Sequence, residues 1–222
     1  MLDSGKFVDI EQEVMVALYN WLARVFSREQ TTLVLAGYQS EDGKAALSLF
    51  AETPQFRKDI HEIIALTENW KDLEKAEMML AVEYSRLFLI GGPEQVPAHE
   101  SVYTSKRARI CQQATTDMEN MLRRFGMSAA GFPEPADHIG IELEFLASLT
   151  AAGTENGEAE QARRELLSRH LLVWAPEFCR LCALRDRTGF YSAAARILNG
   201  TLELERQALK QPAGGALPPP AR

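Results

Sequence analysis

Apolar residues recur along most of the chain at the three- and four-residue spacing of helices with one buried face. Over residues 7 to 27 the stripe is Val14, Leu18, Trp21, Leu22 and Val25, widened by Tyr19 and Phe26. A shorter apolar segment runs from Gln30 to Tyr38 and ends near Gly37. Ser40 then stands as an N-cap, with Glu41 and Asp42 in the first turn favourable against the helix dipole, for a helix through Phe50. Thr53-Pro54 repeats the device, a cap followed by proline at the first helical position, and Phe56, Ile60, Ile63 and Ile64 predict a helix to about Leu66. The charged run Lys71 to Glu77 leads into Met78, Met79, Leu80 and Val82. Tyr84, Leu87 and Phe88 then fall at i, i+3 and i+4, one helical face, and Gly91-Gly92-Pro93 stops the helix.

The segment Gly91 to Ser101 is predicted as a surface loop fixed at both ends by core anchors. Residues 104 to 125, with Ile110, Met118, Met121, Leu122 and Phe125 in a polar setting, predict a partly exposed helix closed by Gly126 and Gly131. Pro133 and Pro135 bias the chain toward extended backbone, and Asp137 is placed as the N-cap of a helix beginning at His138. After a break at Gly153 to Gly157, a helix carrying Leu166, Leu167, Leu171 and Leu172 runs toward Pro176, where a new helix is expected to start. Gly189 ends that segment, and Tyr191, Ala194, Ile197, Leu198 and Leu202 form the last helix. No strand pattern or internal repeat is present. The reading is all-α, one bundle of about nine to eleven helices over residues 1–211, with a Pro/Gly-rich tail at 212–222 that cannot bury apolar area.

Charge narrows the partners. With 24 Lys+Arg against 31 Asp+Glu the net charge is −7, which disfavours nucleic acid and suits a basic peptide. No window supplies the run of roughly twenty apolar residues that spans a bilayer, and residues 1–6 lack a signal-peptide layout, so the expected location is the cytoplasm. Three cysteines fit a reducing compartment. Cys179 and Cys182 form a CxxC without the setting of a redox or zinc site and read as core residues, and no phosphate-loop pattern occurs.

Two segments carry candidate chemistry. His138 and Glu142 share one helical face with Glu134 nearby, a spacing that could serve a metal-dependent hydrolase, although a structural zinc site needs more nitrogen or sulfur ligands than this. Asp137 and His138 read equally as a cap and a polar first turn. Glu100-Ser101 either caps the helix through Tyr103 or offers Glu100 to an arginine in bidentate geometry.

The order Glu83-Tyr84-x-x-Leu87-Phe88, a Gly/Pro loop, Pro97-x-x-Glu100-Ser101-x-Tyr103 and then Glu134-Pro135-x-Asp137-His138-x-Gly140-x-Glu142 resembles the TorD/DmsD family of redox-enzyme maturation chaperones. The resemblance covers roughly residues 10 to 206 and includes the last helix from Gly189. It implies a TorD-like helical fold without catalysis, cofactor or metal. It further implies binding of the twin-arginine signal peptide and apo-precursor of a molybdenum-cofactor-dependent enzyme, and it allows contact with cofactor-biosynthesis proteins. The implied peptide site comprises Tyr84, Leu87, Phe88, Pro97, Glu100, Ser101, Tyr103, Glu134, Asp137, His138 and Glu142, with Glu100, Glu134 and Asp137 meeting arginines. Some relatives carry Trp-Gly after the loop proline where this chain has Ala98-His99-Glu100, so the resemblance does not name the client. Both a monomer and a dimer swapped about Gly126 to Pro135 are compatible with it.

Overall fold

The apolar stripes fold as eleven α-helices in the computed structural model, which describes residues 4–106, 108–153 and 156–210. They are α1 (Ser4–Ser27), α2 (Thr32–Gln39), α3 (Glu41–Phe50), α4 (Arg57–Asn69), α5 (Leu73–Tyr84), α6 (Glu100–Thr104), α7 (Gln113–Arg124), α8 (Ile139–Ala151), α9 (Gly157–Leu166), α10 (Leu172–Arg185) and α11 (Phe190–Leu209). Among the described residues there is no strand, and extended pairing is limited to one antiparallel bridge between His99 and His138. The proposed tail at 212–222 lies outside the described residues. No helix among the described residues is long and apolar enough to cross a membrane.

Two helices form the centre. α8 is buried on nearly every side through Ile139, Ile141, Leu143, Phe145, Leu146 and Leu149, and α11 through Phe190, Tyr191, Ala194, Ile197, Leu198 and Leu202. Each large side chain closed off in this way contributes about 2 kcal/mol. α1 packs along α8, and Gly140 is what lets them meet: a Cβ there would lie 1.7 Å from Ser27 Oγ and 3.2 Å from the Ala23 carbonyl oxygen. One carboxylate inside this core is paired across three helices. Glu205 of α11 accepts from the Tyr19 hydroxyl of α1 and the Arg163 guanidinium of α9.

Several stops and starts follow the local chemistry. The Ser40 hydroxyl accepts from the Gly43 N–H at 3.0 Å at the head of α3. Gly189, at φ +83°, turns the chain between α10 and α11 in a conformation that suits glycine. After α5 a π turn over Ser85–Leu89, closed by the Ile90 N–H on the Ser85 carbonyl at 2.8 Å, ends the helix ahead of Gly91.

Elsewhere the structure corrects the sequence. Thr53 does not cap: its N–H donates to the Phe50 carbonyl, residues 51–56 turn, and α4 starts at Arg57 behind buried Phe56, which packs beside Gly200 of α11. Pro176 does not restart a helix. The chain runs helically from Gly157 to Arg185 with Pro176 inside α10, and the change of register is a π turn at Leu167–Leu171. Residues 104–125 are not one helix: α6 ends at Thr104, Ala108 and Cys111 take positive φ, Ile110 is exposed, and α7 begins at Gln113. The cap of α8 is His138, through Nδ1, and not Asp137.

Candidate functional site

The two motif loops meet. Between α5 and α6 the chain is extended, and the Val96 N–H anchors it on the Leu87 carbonyl at 2.7 Å. It then pairs with the segment before α8, where the Glu100 N–H donates to the Asp137 carbonyl at 3.0 Å and the Ile139 N–H to the Ala98 carbonyl at 2.8 Å. Successive side chains of extended backbone point to opposite faces. The bridge therefore sorts neighbours in sequence onto different sides, His99 and His138 on one and Glu100 and Asp137 on the other.

On the histidine side the rings of His99 and His138 meet edge to face with centroids 5.0 Å apart, and His99 Nε2 lies 3.1 Å from Glu134 Oε2. His138 Nδ1 accepts from the Gly140 N–H at 3.1 Å, so the neutral ring carries its proton on Nε2. Burial, with His99 beside it, pushes the His138 pKa down to about 3 against a smaller opposing effect of Asp137. Glu134 keeps 32% of its side chain exposed. The Tyr84 hydroxyl donates to the Phe26 carbonyl at 3.3 Å, and burial, then the charges of Glu134 and Glu29, push its phenol well up.

On the acid side Asp137 is 0% exposed. Its Oδ2 accepts from the Ser101 N–H at 2.9 Å and its Oδ1 from the Thr115 hydroxyl at 2.7 Å, so it caps α6, ties it to α7 and leaves neither oxygen open to a ligand. Ser101 Oγ accepts from the Gln112 N–H at 3.2 Å. Glu100, 4% exposed, holds His170 Nδ1 at 2.7 Å from its Oε2. Glu142 accepts the Trp174 indole N–H at 3.1 Å on Oε2, while Oε1 has no partner as a bare carboxylate. Burial first, and the nearby Glu100 charge second, push the Glu142 pKa well above the usual carboxylate range, and a proton on Oε1 turns the unpaired acceptor into a donor. The Tyr103 hydroxyl donates to the Pro97 carbonyl at 2.8 Å with its ring 5.2 Å from that of Trp174, closing this side.

Of the residues singled out from sequence, Pro97, Glu100, Ser101, Tyr103, Glu134, Asp137, His138 and Glu142 surround the bridge, while Tyr84 bonds to Phe26 and packs on Phe88 and Tyr191. Leu87 and Phe88 are core, the Phe88 ring packing on Phe26, Tyr84 and Tyr191. The geometry adds His99, His170, Thr115 and Trp174. A hydrolytic centre would need His138, Glu142 and Glu134 to converge, but Glu142 faces Trp174 and Glu134 faces His99. No group of three or more potential metal ligands occurs among the described residues.

The family model described as nitrate reductase delta subunit matches residues 51–180. The chaperone protein TorD of Aliivibrio salmonicida is 32% identical over 200 residues, covering 87% of this chain and 93% of that protein. The TorD of Vibrio cholerae is 27% identical over 209 residues, covering 91% and 94%. A crystal structure of a putative redox enzyme maturation protein from Archaeoglobus fulgidus shares the fold at a TM-score of 0.51 and 23% identity over 85% of this chain and 93% of that one. With the two motifs joined at one bridge, these matches make the chain a member of the TorD/DmsD family of redox-enzyme maturation chaperones.

Proposed function

We propose that this protein, a redox-enzyme maturation chaperone by family, binds the twin-arginine leader of a molybdenum-cofactor-dependent oxidoreductase in the cytoplasm. It holds the apoenzyme back from export until the cofactor is in place. The observation that carries this reading is the His99–His138 bridge, which joins the two motif segments into one surface feature. On its outer side the partly exposed Glu134 supplies negative charge for a leader arginine. Glu100 and Asp137 act from beneath by fixing the shape of the two loops. The surplus of carboxylates over the whole chain favours encounter with a basic segment. No step of this role requires bond chemistry.

Calorimetric titration of the protein with a synthetic leader, two consecutive arginines followed by an apolar run, tests the reading. Binding is expected to weaken when both arginines are replaced by glutamine and when salt is raised from 50 to 500 mM, roughly the range over which exposed charges become screened. Equal affinity for the two peptides would remove the arginine recognition, and no binding of either would remove the leader altogether.

A further inference from the structure

On the acid side of the bridge a cleft of about 470 Å³ opens between α6, α7 and the π turn that precedes α10. Its floor is the Glu100–His170 pair, and Thr104, Asp117, Arg124 and Glu165 stand on its walls. His170 is 6% exposed. With Nδ1 against the Glu100 carboxylate, Nε2 is the ring nitrogen left over, and it has no hydrogen-bond partner among the described residues. In the neutral ring a carboxylate on one nitrogen holds the proton there, so the other presents a lone pair.

The charges around this atom favour a cation. Arg124 and Arg169 are both taken up by Glu165, at 3.0 and 3.3 Å on its two oxygens. Asp117 accepts an amide N–H from Gln113 at 2.9 Å and meets no cation among the described residues. Behind the floor, Asp137 bonds to an N–H and a hydroxyl and also lacks a cation. Among the described residues, Glu100, Asp117, Asp137 and Glu165 thus outnumber the two guanidiniums around the cleft. No Phe, Tyr or Trp lines the cleft, which leaves no platform on which a nucleobase could stack. Acceptors on both the floor and the wall of the cleft, His170 and Asp117, match the five donors of a guanidinium better than the point charge of an ammonium.

We infer that this cleft is a subsite for an arginine side chain of the bound leader, Asp117 taking the edge of the guanidinium and His170 Nε2 accepting one further N–H. The inference rests on the leader-binding reading above, and its test separates the two. Imidazole signals of His170, identified by their loss in His170→Gln, are followed by heteronuclear NMR as N-acetyl-arginine amide, N-acetyl-citrulline amide or inorganic phosphate is added. The arginine amide is expected to shift them and the uncharged citrulline amide is not. In parallel, Asp117→Asn, a change at the protein surface, is expected to weaken calorimetric binding of the leader about tenfold, the scale of one charge-assisted contact. A leader that binds wild type and Asp117→Asn equally, with His170 signals unmoved by the arginine amide, overturns the subsite and leaves the leader reading standing. A leader that does not bind wild type overturns the leader reading, while the arginine-amide titration still decides the cleft. Shifts produced by phosphate and not by the arginine amide would make the cleft an anion site and end the proposal.

Discussion

One side of the bridge is partly open, with His99 and Glu134 half-buried and joined by one side-chain hydrogen bond beside the buried His138. The other is built of buried side chains around one cleft. There Asp137, Glu100, His170, Glu142 and Trp174 are buried and joined from helix to helix. Residues one position apart in sequence sit in these two settings because extended backbone alternates its side chains. The difference teaches that the motif histidines and acids are not one functional group. The acid side fixes the geometry of the loops, and on the histidine side Glu134 keeps part of its side chain exposed.

Breaking the acid side should cost most. Asp137→Ala deletes both hydrogen bonds and strands the buried Ser101 N–H and Thr115 hydroxyl, a loss of about 3 kcal/mol. A urea-melt midpoint no lower than that of wild type would show that Asp137 does not hold α6 to α7. Gly140→Ala should cost about 1–3 kcal/mol, because its Cβ would fall 1.7 Å from Ser27 Oγ. Combining it with Ser27→Gly is expected to restore most of the loss, and an unimproved double variant would place the strain elsewhere.

The two sides should also answer pH with opposite sign. His138 is held neutral, its pKa pushed to about 3, whereas the unfolded chain takes up that proton near 6.5. Its contribution is whole above pH 6.5 and lost as pH falls toward 3, amounting to about 2 kcal/mol by pH 5. His138→Asn keeps a side-chain acceptor for the Gly140 N–H and should flatten this slope in chemical melts at pH 7 and pH 5. For Glu142 the folded pKa is raised, so the contribution of its protonated form is whole below about 4.5, the ordinary carboxylate value, and lost as pH rises. Glu142→Gln, which keeps an acceptor for Trp174, should therefore gain on wild type between pH 5 and pH 8. A gain that does not grow with pH would count against a buried proton at this position.

How much of this was legible depends on whether the signal was local. Gly91 to Pro93, Ser40 and Gly189 declare themselves through backbone freedom or a hydroxyl beside its own helix, and all three read correctly. Thr53-Pro54 and Pro176 misled because tertiary packing of Phe56 and a π turn settle the backbone there. The two loops could be read as belonging together, but Asp137 was assigned to the wrong helix because its partners, Ser101 and Thr115, come from far along the chain. His170 carried only a faint sign, a polar residue among Leu166, Leu167, Leu171 and Leu172 on a buried face. Asp117 carried none, since an acid on a polar helix face acquires meaning only from what the fold sets beside it.

The smallest effect on stability separates the two sides most sharply. Glu134 meets His99 Nε2 at a partly exposed position, where even a salt bridge contributes at most about 1 kcal/mol, and Glu134→Gln keeps an oxygen to accept the His99 N–H. The urea midpoint should move by no more than about 0.5 kcal/mol equivalent. Leader affinity should nevertheless fall about three- to tenfold, with a shallower dependence on salt, because a charge facing a cation has been removed without disturbing the loops. If Glu134→Gln instead unfolded the protein as readily as Asp137→Ala, or left leader affinity unchanged, the histidine side would be structural like its counterpart, and partner recognition would fall to the acid-side cleft alone.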